Sequence, residues 1–290
     1  MCRLLDTHPR PHGQGTGAAD DAGRAPAISM LDISYTYTKK PFITDFSLSI
    51  DRGSILSIVG PNGCGKSTLL KIMDGMITPH EGAVMIDGKP CLSMSGRQRA
   101  RHLALLSQGS RPPAMSVETL VACGRYPHHS HLRQSQTKAD KELVEEAMVL
   151  DGVEDFRHHD VRRLSGGERQ RAFIAMTLAQ DAGIIALDEP TTYLDVHACH
   201  EIMILIQELN ASSGKTFVMV IHDIDLALRY SDQMVVMEKG RLLFSGSAEE
   251  AIASKAIEES FQVEICRYPS KDRIAYTLFP LQGGDEPKVE

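Results

Sequence analysis

One glycine-rich segment has the residue types and the spacing to bind phosphate. Residues 60–67, GPNGCGKS, match the pattern GxxxxGK[ST] and lie between an apolar run and a helical pattern. In such a loop, backbone N–H groups surround the phosphates, the lysine supplies positive charge, and the serine hydroxyl binds Mg²⁺. A plain glycine-rich turn would not require Lys-Ser at the start of the helix. The expected nucleotide-binding residues are Gly60, Pro61, Asn62, Gly63, Cys64, Gly65, Lys66, Ser67 and Thr68.

Two adjacent acids follow another apolar run. In residues 184–190, IIALDEP, Asp188 and Glu189 come directly after the apolar residues. The first carboxylate of such a pair is placed to bind Mg²⁺, and the second is placed to act as the general base on an attacking water. Acids also open solvated loops after strands. Taken alone, the pair fits both interpretations equally well.

A second helix start carries two glycines. In residues 164–170, LSGGERQ, Ser165 is the expected N-cap, and Gly166 and Gly167 leave the first N–H groups of the helix accessible. This arrangement predicts a second anion site. Because the chain has two phosphate-binding helix ends but one complete phosphate loop, we expect a second copy of the chain to complete each site.

The pattern around these segments predicts an α/β fold. Buried-strand runs that alternate with helical patterns predict parallel strands, and these runs are 54–59, 184–187 and 216–221. Alternating segments on both sides of residues 38–41 predict an antiparallel β pair, and residues 233–245 predict a hairpin. The stretch from about 97 to 175 is mostly helical in pattern, with Ser116 as a cap. We expect a parallel-sheet core, an antiparallel β subdomain and an inserted α-helical subdomain.

Composition and charge exclude several classes of protein. The 290 residues are 42% apolar and 24% charged, as in a soluble globular protein. The net charge of −7 gives no basic surface for nucleic acid, which is not an expected partner. No apolar run approaches the roughly 20 residues that cross a bilayer. The six cysteines stand far apart, which favours a reducing cytosol over zinc sites or disulfides.

Other polar groups are expected to have minor roles. The helix end and Lys66 are expected to lower the pKa of the Cys64 thiol. Histidines occur close together but lack a recognisable ligand spacing with cysteines or carboxylates, so we expect them on exposed loops; they are His128, His129, His131, His158 and His159. Three arginines are expected on a solvated face: Arg97, Arg99 and Arg101.

Together, the motifs resemble those of the ABC ATPases in order and approximate spacing, over about residues 30–265. The matching segments are 60–68 (GPNGCGKST), 105–108 (LLSQ), 164–170 (LSGGERQ), 186–190 (ALDEP), 194–195 (LD) and 221–223 (IHD). The resemblance implies a P-loop NTPase (RecA-like) core that binds and hydrolyses ATP with Mg²⁺ as cofactor.

The resemblance also assigns roles in hydrolysis. Gln108 would sense Mg²⁺ and the γ-phosphate, and His222 would hold the γ-phosphate and the water beside Glu189. Tyr37 lies where the family places an aromatic residue that stacks on adenine. Tyr35 competes with it in register, and an ordinary strand aromatic is the alternative.

The family further implies a dimer. Ser165, Gly166 and Gly167 would contact the γ-phosphate bound on the partner's loop, so that two ATP molecules lie head to tail between two protomers. Asp195 would signal across that interface. The expected organisation is a disordered leader over residues 1–29, an ATPase domain over 30–265 with its helical subdomain at about 97–175, and a short tail over 266–290. Translation from Met30 is an alternative to the leader.

Two segments resemble a narrower group. Residues 115–128, MSVETLVACGRYPH, and 189–195, EPTTYLD, look like the ATPases of importers for ferric siderophores, haem or cobalamin, and ferric siderophores are the narrower expectation. The resemblance implies a polytopic membrane permease that contacts residues 112–127. It also implies an extracytoplasmic substrate-binding protein as an indirect partner, and a peripheral place on the cytoplasmic side of the cell membrane.

Two other functions remain open. A soluble ABC-fold ATPase that acts as an assembly or scaffold factor would share these motifs but would have no permease. A P-loop kinase for a small molecule is the weaker alternative, because it leaves residues 164–170 and the dimer unexplained.

Overall fold

The computed structural model describes residues 25–37, 40–109, 112–129, 136–270 and 273–281. The strands are β1 Ile28–Tyr35, β2 Ile43–Ile50, β3 Ile55–Val59, β4 Glu81–Ile86, β5 Lys89–Pro90, β6 Leu103–Leu106, β7 Ile184–Asp188, β8 Thr216–Val220, β9 Gln233–Glu238, β10 Arg241–Gly246, β11 Val263–Ser270 and β12 Arg273–Pro280. The helices are α1 Lys66–Met73, α2 Gly96–Ala100, α3 Val117–Cys123, α4 Lys138–Leu150, α5 Gly166–Ala179, α6 Val196–Ser213, α7 Ile224–Tyr230, α8 Ala248–Ala253 and α9 Ala256–Phe261. Most of the predicted leader and the end of the predicted tail lie outside the described residues.

A mostly parallel sheet forms the centre of the described chain. Its strands run in the order β10-β9-β3-β8-β7-β6, and β10 is antiparallel to its neighbour. β3, β7 and β8 are buried along their whole length, which is why their sequences are nearly continuous apolar runs. Because parallel strands end at one edge of a sheet, the residues that follow β3, β6, β7 and β8 lie near one another.

The two faces of this sheet pack against different parts of the chain. Leu56 and Ile58 of β3 belong to a core that also contains Phe46 of β2 and the buried face of α1. Ile55 and Val59 belong to a core built with the helices α3 to α7. The alternation follows from the period of two along a strand. The first core is completed by an antiparallel sheet in the order β2-β1-β4-β5, which confirms the predicted antiparallel β pair.

A strand interrupts the stretch from about 97 to 175 that the sequence pattern indicates as helical. Residues 103–106, LALL, lie within the predicted helical stretch but form β6, which pairs with β7 in the central sheet. A run of this length is too short to show a helical period, and burial between its neighbours decides its structure. The cap at Ser116 is confirmed, because its hydroxyl accepts a hydrogen bond from the Thr119 N–H at 3.3 Å.

Two hairpins close the described chain. The β9–β10 hairpin lies where residues 233–245 predict one. The β11–β12 hairpin spans the predicted boundary between domain and tail at 265–266, and Ile265, Tyr276 and Leu278 on one of its faces pack against the helix-side core. Within the described ranges, no helix combines the length and the apolar character that crossing a membrane requires.

Candidate functional site

The glycine-rich loop between β3 and α1 directs two backbone carbonyl groups at the lysine that follows it. The Lys66 side chain is 6% exposed, and its Nζ donates to the carbonyl oxygens of Gly60 at 2.7 Å and Pro61 at 3.1 Å. A Cβ at Gly60 would lie 2.2 Å from the carbonyl oxygen of Met237, so only glycine fits there. Backbone N–H groups at the start of α1 and a buried ammonium form a cradle that fits a polyphosphate.

Ser67 and Asp188 bring two oxygen ligands together beside this cradle. The Ser67 hydroxyl, on the first turn of α1, donates to Oδ1 of Asp188, the last residue of β7, at 3.0 Å. Burial raises the pKa of Asp188, the nearby Glu189 adds to the rise, and hydrogen bonds from Ser67 and from the Gln108 backbone oppose it. A hydroxyl and a carboxylate are hard oxygen ligands that suit Mg²⁺. The two residues therefore fit the predicted metal.

Glu189 is surrounded by hydrogen-bond donors. Within the described residues its carboxylate contacts Nε2 of Gln108, Nε2 of His222 and the hydroxyl of Thr192, the last at 2.8 Å. The Gln108 amide and the Thr192 hydroxyl donate to the carboxylate, and His222 donates to it in the tautomer that carries a proton on Nε2. Gln108 follows β6 and His222 follows β8, so neighbouring strands deliver them to the end of β7. The predicted trio of Gln108, Glu189 and His222 is brought together.

Thr192 is the member of this cluster that the sequence analysis missed. It lies three residues after Glu189, in a turn where the Thr192 N–H donates to the Glu189 carbonyl at 3.3 Å. Glu189 itself is in the left-handed region, with φ of 56°. Nothing in a single sequence marks this threonine, because the contact of its hydroxyl with Glu189 depends on the left-handed backbone conformation at Glu189.

Tyr37 lies beside the glycine-rich loop. Its hydroxyl is 2.9 Å from Oγ1 of Thr68, and its ring is 56% exposed and packs edge-on against Phe42. Tyr35, the competing residue, instead stacks on His80 with ring centroids 5.2 Å apart. The exposed face beside the loop therefore belongs to Tyr37.

The second glycine-rich helix start has its own cap and its own packing partners. Ser165 caps α5 in a reciprocal pair with Glu168, which confirms the predicted N-cap. A Cβ at Gly166 would lie 3.3 Å from the Leu194 side chain, so the glycine packs against the segment that precedes α6. Asp195 caps α6 by accepting from the Ala198 N–H at 2.9 Å. Among the described residues, no hydrogen bond or ion pair joins 165–167 to the loop at 60–68.

The expectations for the Cys64 and Arg99 side chains are wrong. Burial raises the pKa of the Cys64 thiol, and the charge of Lys66 opposes that rise only in part, so the expected lowering does not occur. Arg99 is also not a solvated residue. Its guanidinium donates to three carbonyl oxygens, those of Asp74, Met94 and Gly75, at 3.0, 2.8 and 3.4 Å.

In residues 124–128, GRYPH, Arg125 has a structural role and Tyr126 is exposed. Arg125 is buried, and it donates to Asp140 at 2.9 Å and to the Ala179 carbonyl at 2.7 Å. Tyr126, in contrast, is 65% exposed, and the Arg97 guanidinium lies 5.3 Å from its ring centre. Arg125 thus fixes the segment, and Tyr126 is the part that a partner can touch.

The histidines do not form a metal site in the described part of the chain. His128 is partly buried, not on an exposed loop as expected, and its Nε2 is 2.8 Å from the Gln180 carbonyl. Burial lowers the pKa of His128. Among the described residues, no three histidine, cysteine or acidic side chains are grouped closely enough to hold a metal ion, and His131 lies outside those residues.

Comparisons with known proteins agree with this geometry. The ABC transporter family model matches residues 43–192. The chain is 41% identical over 239 residues to a petrobactin import ATP-binding protein, FpuD, of Bacillus anthracis, covering 82% of this chain and 87% of that protein. It is 42% identical over 238 residues to a probable siderophore transport system ATP-binding protein, YusV, of Bacillus subtilis, covering 82% and 86%.

A solved structure shows the same fold. The described chain is similar to a dimeric bacterial ABC transporter cassette with a TM-score of 0.67 and 28% sequence identity, covering 76% of this chain and 98% of that one. The family match extends over the phosphate loop, Gln108, the 164–170 segment and the acid pair, which are the elements that build the site described above. The chain therefore belongs to the ABC transporter family, as one of its ATP-binding subunits.

Proposed function

We propose that this chain hydrolyses ATP to drive an importer of ferric siderophores. The observation that carries the hydrolytic part is the cluster at the end of the parallel strands, where Glu189 meets donors from Gln108 and His222 beside the loop that holds Lys66. The siderophore class is supported by the relatives, one of which imports petrobactin and another of which serves a siderophore transport system.

In this proposal each residue has one task in hydrolysis. The loop N–H groups and Lys66 hold the phosphates, and Tyr37 stacks on the adenine. Ser67, Asp188 and Gln108 would hold Mg²⁺, which would neutralise charge on the phosphates. Glu189 accepts the proton of the attacking water, and His222 orients that water and the γ-phosphate.

The dimer follows from the separation of the two phosphate-binding helix ends. Because no hydrogen bond or ion pair joins 165–167 to the loop of its own chain within the described residues, these groups are available to a nucleotide held by a second protomer. Two ATP molecules would then lie between two chains arranged head to tail, with Asp195 at the interface. The similarity to a dimeric cassette supports this arrangement.

Coupling to transport requires a contact with a membrane permease. The proposed surface is the exposed side of residues 112–127, which includes Thr119, Cys123 and Tyr126. Closure of the dimer would move this surface and switch the permease between its two access states. The chain would then lie peripherally on the cytoplasmic side of the cell membrane, and an extracytoplasmic binding protein would deliver the cargo to the permease.

The first test is co-purification with a permease. Tagged full-length Glu189→Gln protein is purified with ATP and Mg²⁺ from detergent-solubilised membranes, and the bound proteins are identified by mass spectrometry. A polytopic permease supports the transporter, whereas a soluble dimer without a membrane partner supports an assembly or scaffold ATPase.

A second test separates the possible cargoes. A strain that lacks the chain is complemented with the wild type or with Glu189→Gln, and uptake of iron-55 on a siderophore is compared with uptake of haem and labelled cobalamin. If only the uptake of iron-55 on the siderophore depends on the ATPase, the siderophore assignment is supported. Dependence of haem or cobalamin uptake would reassign the cargo and leave the ATPase intact.

A further inference from the structure

We propose that Thr192 is a positioning residue for the carboxylate of Glu189, and this inference rests on the proposed role of Glu189 as general base. The Thr192 hydroxyl lies 2.8 Å from Oε2 of Glu189. Among the described residues this is the one hydrogen bond that the hydroxyl makes. A hydroxyl that donates to a carboxylate fixes the orientation of the carboxylate as well as its position.

The turn after β7 creates this contact. Glu189 adopts φ of 56° and Tyr193 adopts φ of 66°, so two non-glycine residues in the left-handed region enclose the segment. The Thr192 N–H donates to the Glu189 carbonyl at 3.3 Å, which brings residue 192 back over residue 189. The side chain of Thr192 therefore reaches Glu189 from within the same turn.

The other two donors on Glu189 differ from Thr192 in origin. Gln108 and His222 follow separate strands, β6 and β8, and the proposed function requires both of them at the nucleotide: Gln108 at Mg²⁺ and His222 at the γ-phosphate. When those side chains turn to the nucleotide, they release hydrogen bonds to Glu189. Thr192 moves with Glu189 because both belong to one short turn, so it keeps the carboxylate in place in every state of the cycle.

The position of the Thr192 hydroxyl excludes a direct role in binding phosphate. Within the described chain, no residue of the loop at 60–68 is a hydrogen-bond partner of this hydroxyl, so Thr192 is not placed to bind phosphate directly. Loss of the hydroxyl is therefore expected to change the chemical step and to leave nucleotide binding unchanged. A free carboxylate that rotates away from the water loses the advantage of a fixed base.

Full-length Thr192→Val, Thr192→Ser and Thr191→Val proteins provide the test. Valine removes the hydroxyl and keeps the shape, and serine restores the hydroxyl. Thr191 is the matched control, because it is the adjacent threonine and its hydroxyl makes no hydrogen bond within the described residues. Steady-state hydrolysis of ATP with Mg²⁺, the Kd for a fluorescent ATP analogue and the midpoint of thermal unfolding are measured for each protein.

We expect Thr192→Val to lower kcat by about 10- to 100-fold, the range for a hydrogen bond to a charged group, with KM and the analogue Kd within about twofold of the wild type. Thr192→Ser should recover most of the lost kcat, and Thr191→Val should keep it within about twofold. In the Glu189→Gln background, adding Thr192→Val should change the residual rate by less than about twofold, because the two residues act as one unit.

The outcomes separate this inference from the assignment of Glu189. Wild-type kcat for Thr192→Val, combined with a deficient Glu189→Gln protein, would overturn the role of Thr192 alone. An equal loss in Thr191→Val, or independent and multiplicative losses in the double variant, would also overturn it. Wild-type turnover by Glu189→Gln would overturn the general base and this inference together.

Discussion

Glu189→Gln should separate ATP hydrolysis from ATP binding and from folding. The carboxylate oxygens of Glu189 accept from Gln108 and Thr192 on one side and from His222 on the other. An amide oxygen on the first side keeps two of these contacts. Its NH₂ group then faces His222 Nε2, which can accept a hydrogen bond in its other tautomer. No donor is left without a partner, so the free energy of unfolding should change by less than about 1 kcal/mol.

The effect on turnover should be much larger. An amide does not take the proton of the attacking water, and a positioned general base contributes about 10²- to 10⁴-fold to the rate, which corresponds to about 3 to 5 kcal/mol at 1.36 kcal/mol per tenfold. ATP binding should persist, because Lys66 and Ser67 are unchanged, and ATP should hold the variant as a dimer. Phosphate release, binding of a fluorescent ATP analogue and size-exclusion chromatography with ATP measure the three quantities.

Two control variants make this result specific. Glu189→Asp keeps the charge but shortens the side chain by one methylene, and a misplacement of that order should still cost about 10²-fold in kcat. Glu142→Gln makes the same chemical change on an exposed face of α4, where the side chain is 66% exposed, and should leave kcat within about twofold. Wild-type turnover by Glu189→Gln, or loss of its ATP binding, would refute the reasoning.

Three further predictions test other parts of the chain. Lys66→Ala should raise the Kd for a fluorescent ATP analogue by at least about tenfold, because the charge acts on bound ATP as well as on the transition state; unchanged affinity would contradict this. Arg125→Met should lower the free energy of unfolding in urea by about 3–5 kcal/mol, since it removes the guanidinium 2.9 Å from the buried Asp140 carboxylate, to which Thr137 still donates, and leaves the Ala179 carbonyl without its donor; a loss below about 1 kcal/mol would contradict it. Burial raises the pKa of Asp74 to about 6, so as pH rises the unfolded chain loses this proton at a lower pH than the folded chain does. The free energy of unfolding should therefore fall as pH rises from about 4 to 6, and Asp74→Asn should remove that part of the pH dependence of urea unfolding.

The parts of the site that the sequence predicts are those with a local signature. The loop at 60–67 combines four fixed positions with a preceding strand and a following helix, and the structure places Lys66 and Ser67 accordingly. The cap at Ser165 is equally local, because a serine, two glycines and a glutamate three residues later specify it. The parallel direction of the buried strands follows from their alternation with helices.

The parts that the sequence does not predict depend on tertiary contacts. The run LALL at 103–106 becomes a strand because β7 lies beside it, and four apolar residues do not reveal that neighbour. The pKa of Cys64 depends on how deeply the loop is buried, which outweighs the nearby charge that the sequence does show. Thr192 reaches Glu189 only because the backbone at Glu189 is left-handed, and no propensity rule predicts that for a glutamate.

The loop at 60–68 and the helix start at 165–167 are supported by different parts of the chain. Within the described residues, the side chains that donate to Glu189 follow β6 and β8 or lie in the turn after β7, so one chain supplies this cluster by itself. The helix start at 165–167 packs instead against Leu194 and Ala198, in the segment that continues from that same turn. A second protomer that binds its nucleotide against 165–167 would therefore press on the segment that carries Thr192. By this route, we expect closure of the proposed dimer to act on the orientation of Glu189, so that hydrolysis would follow the joining of both chains.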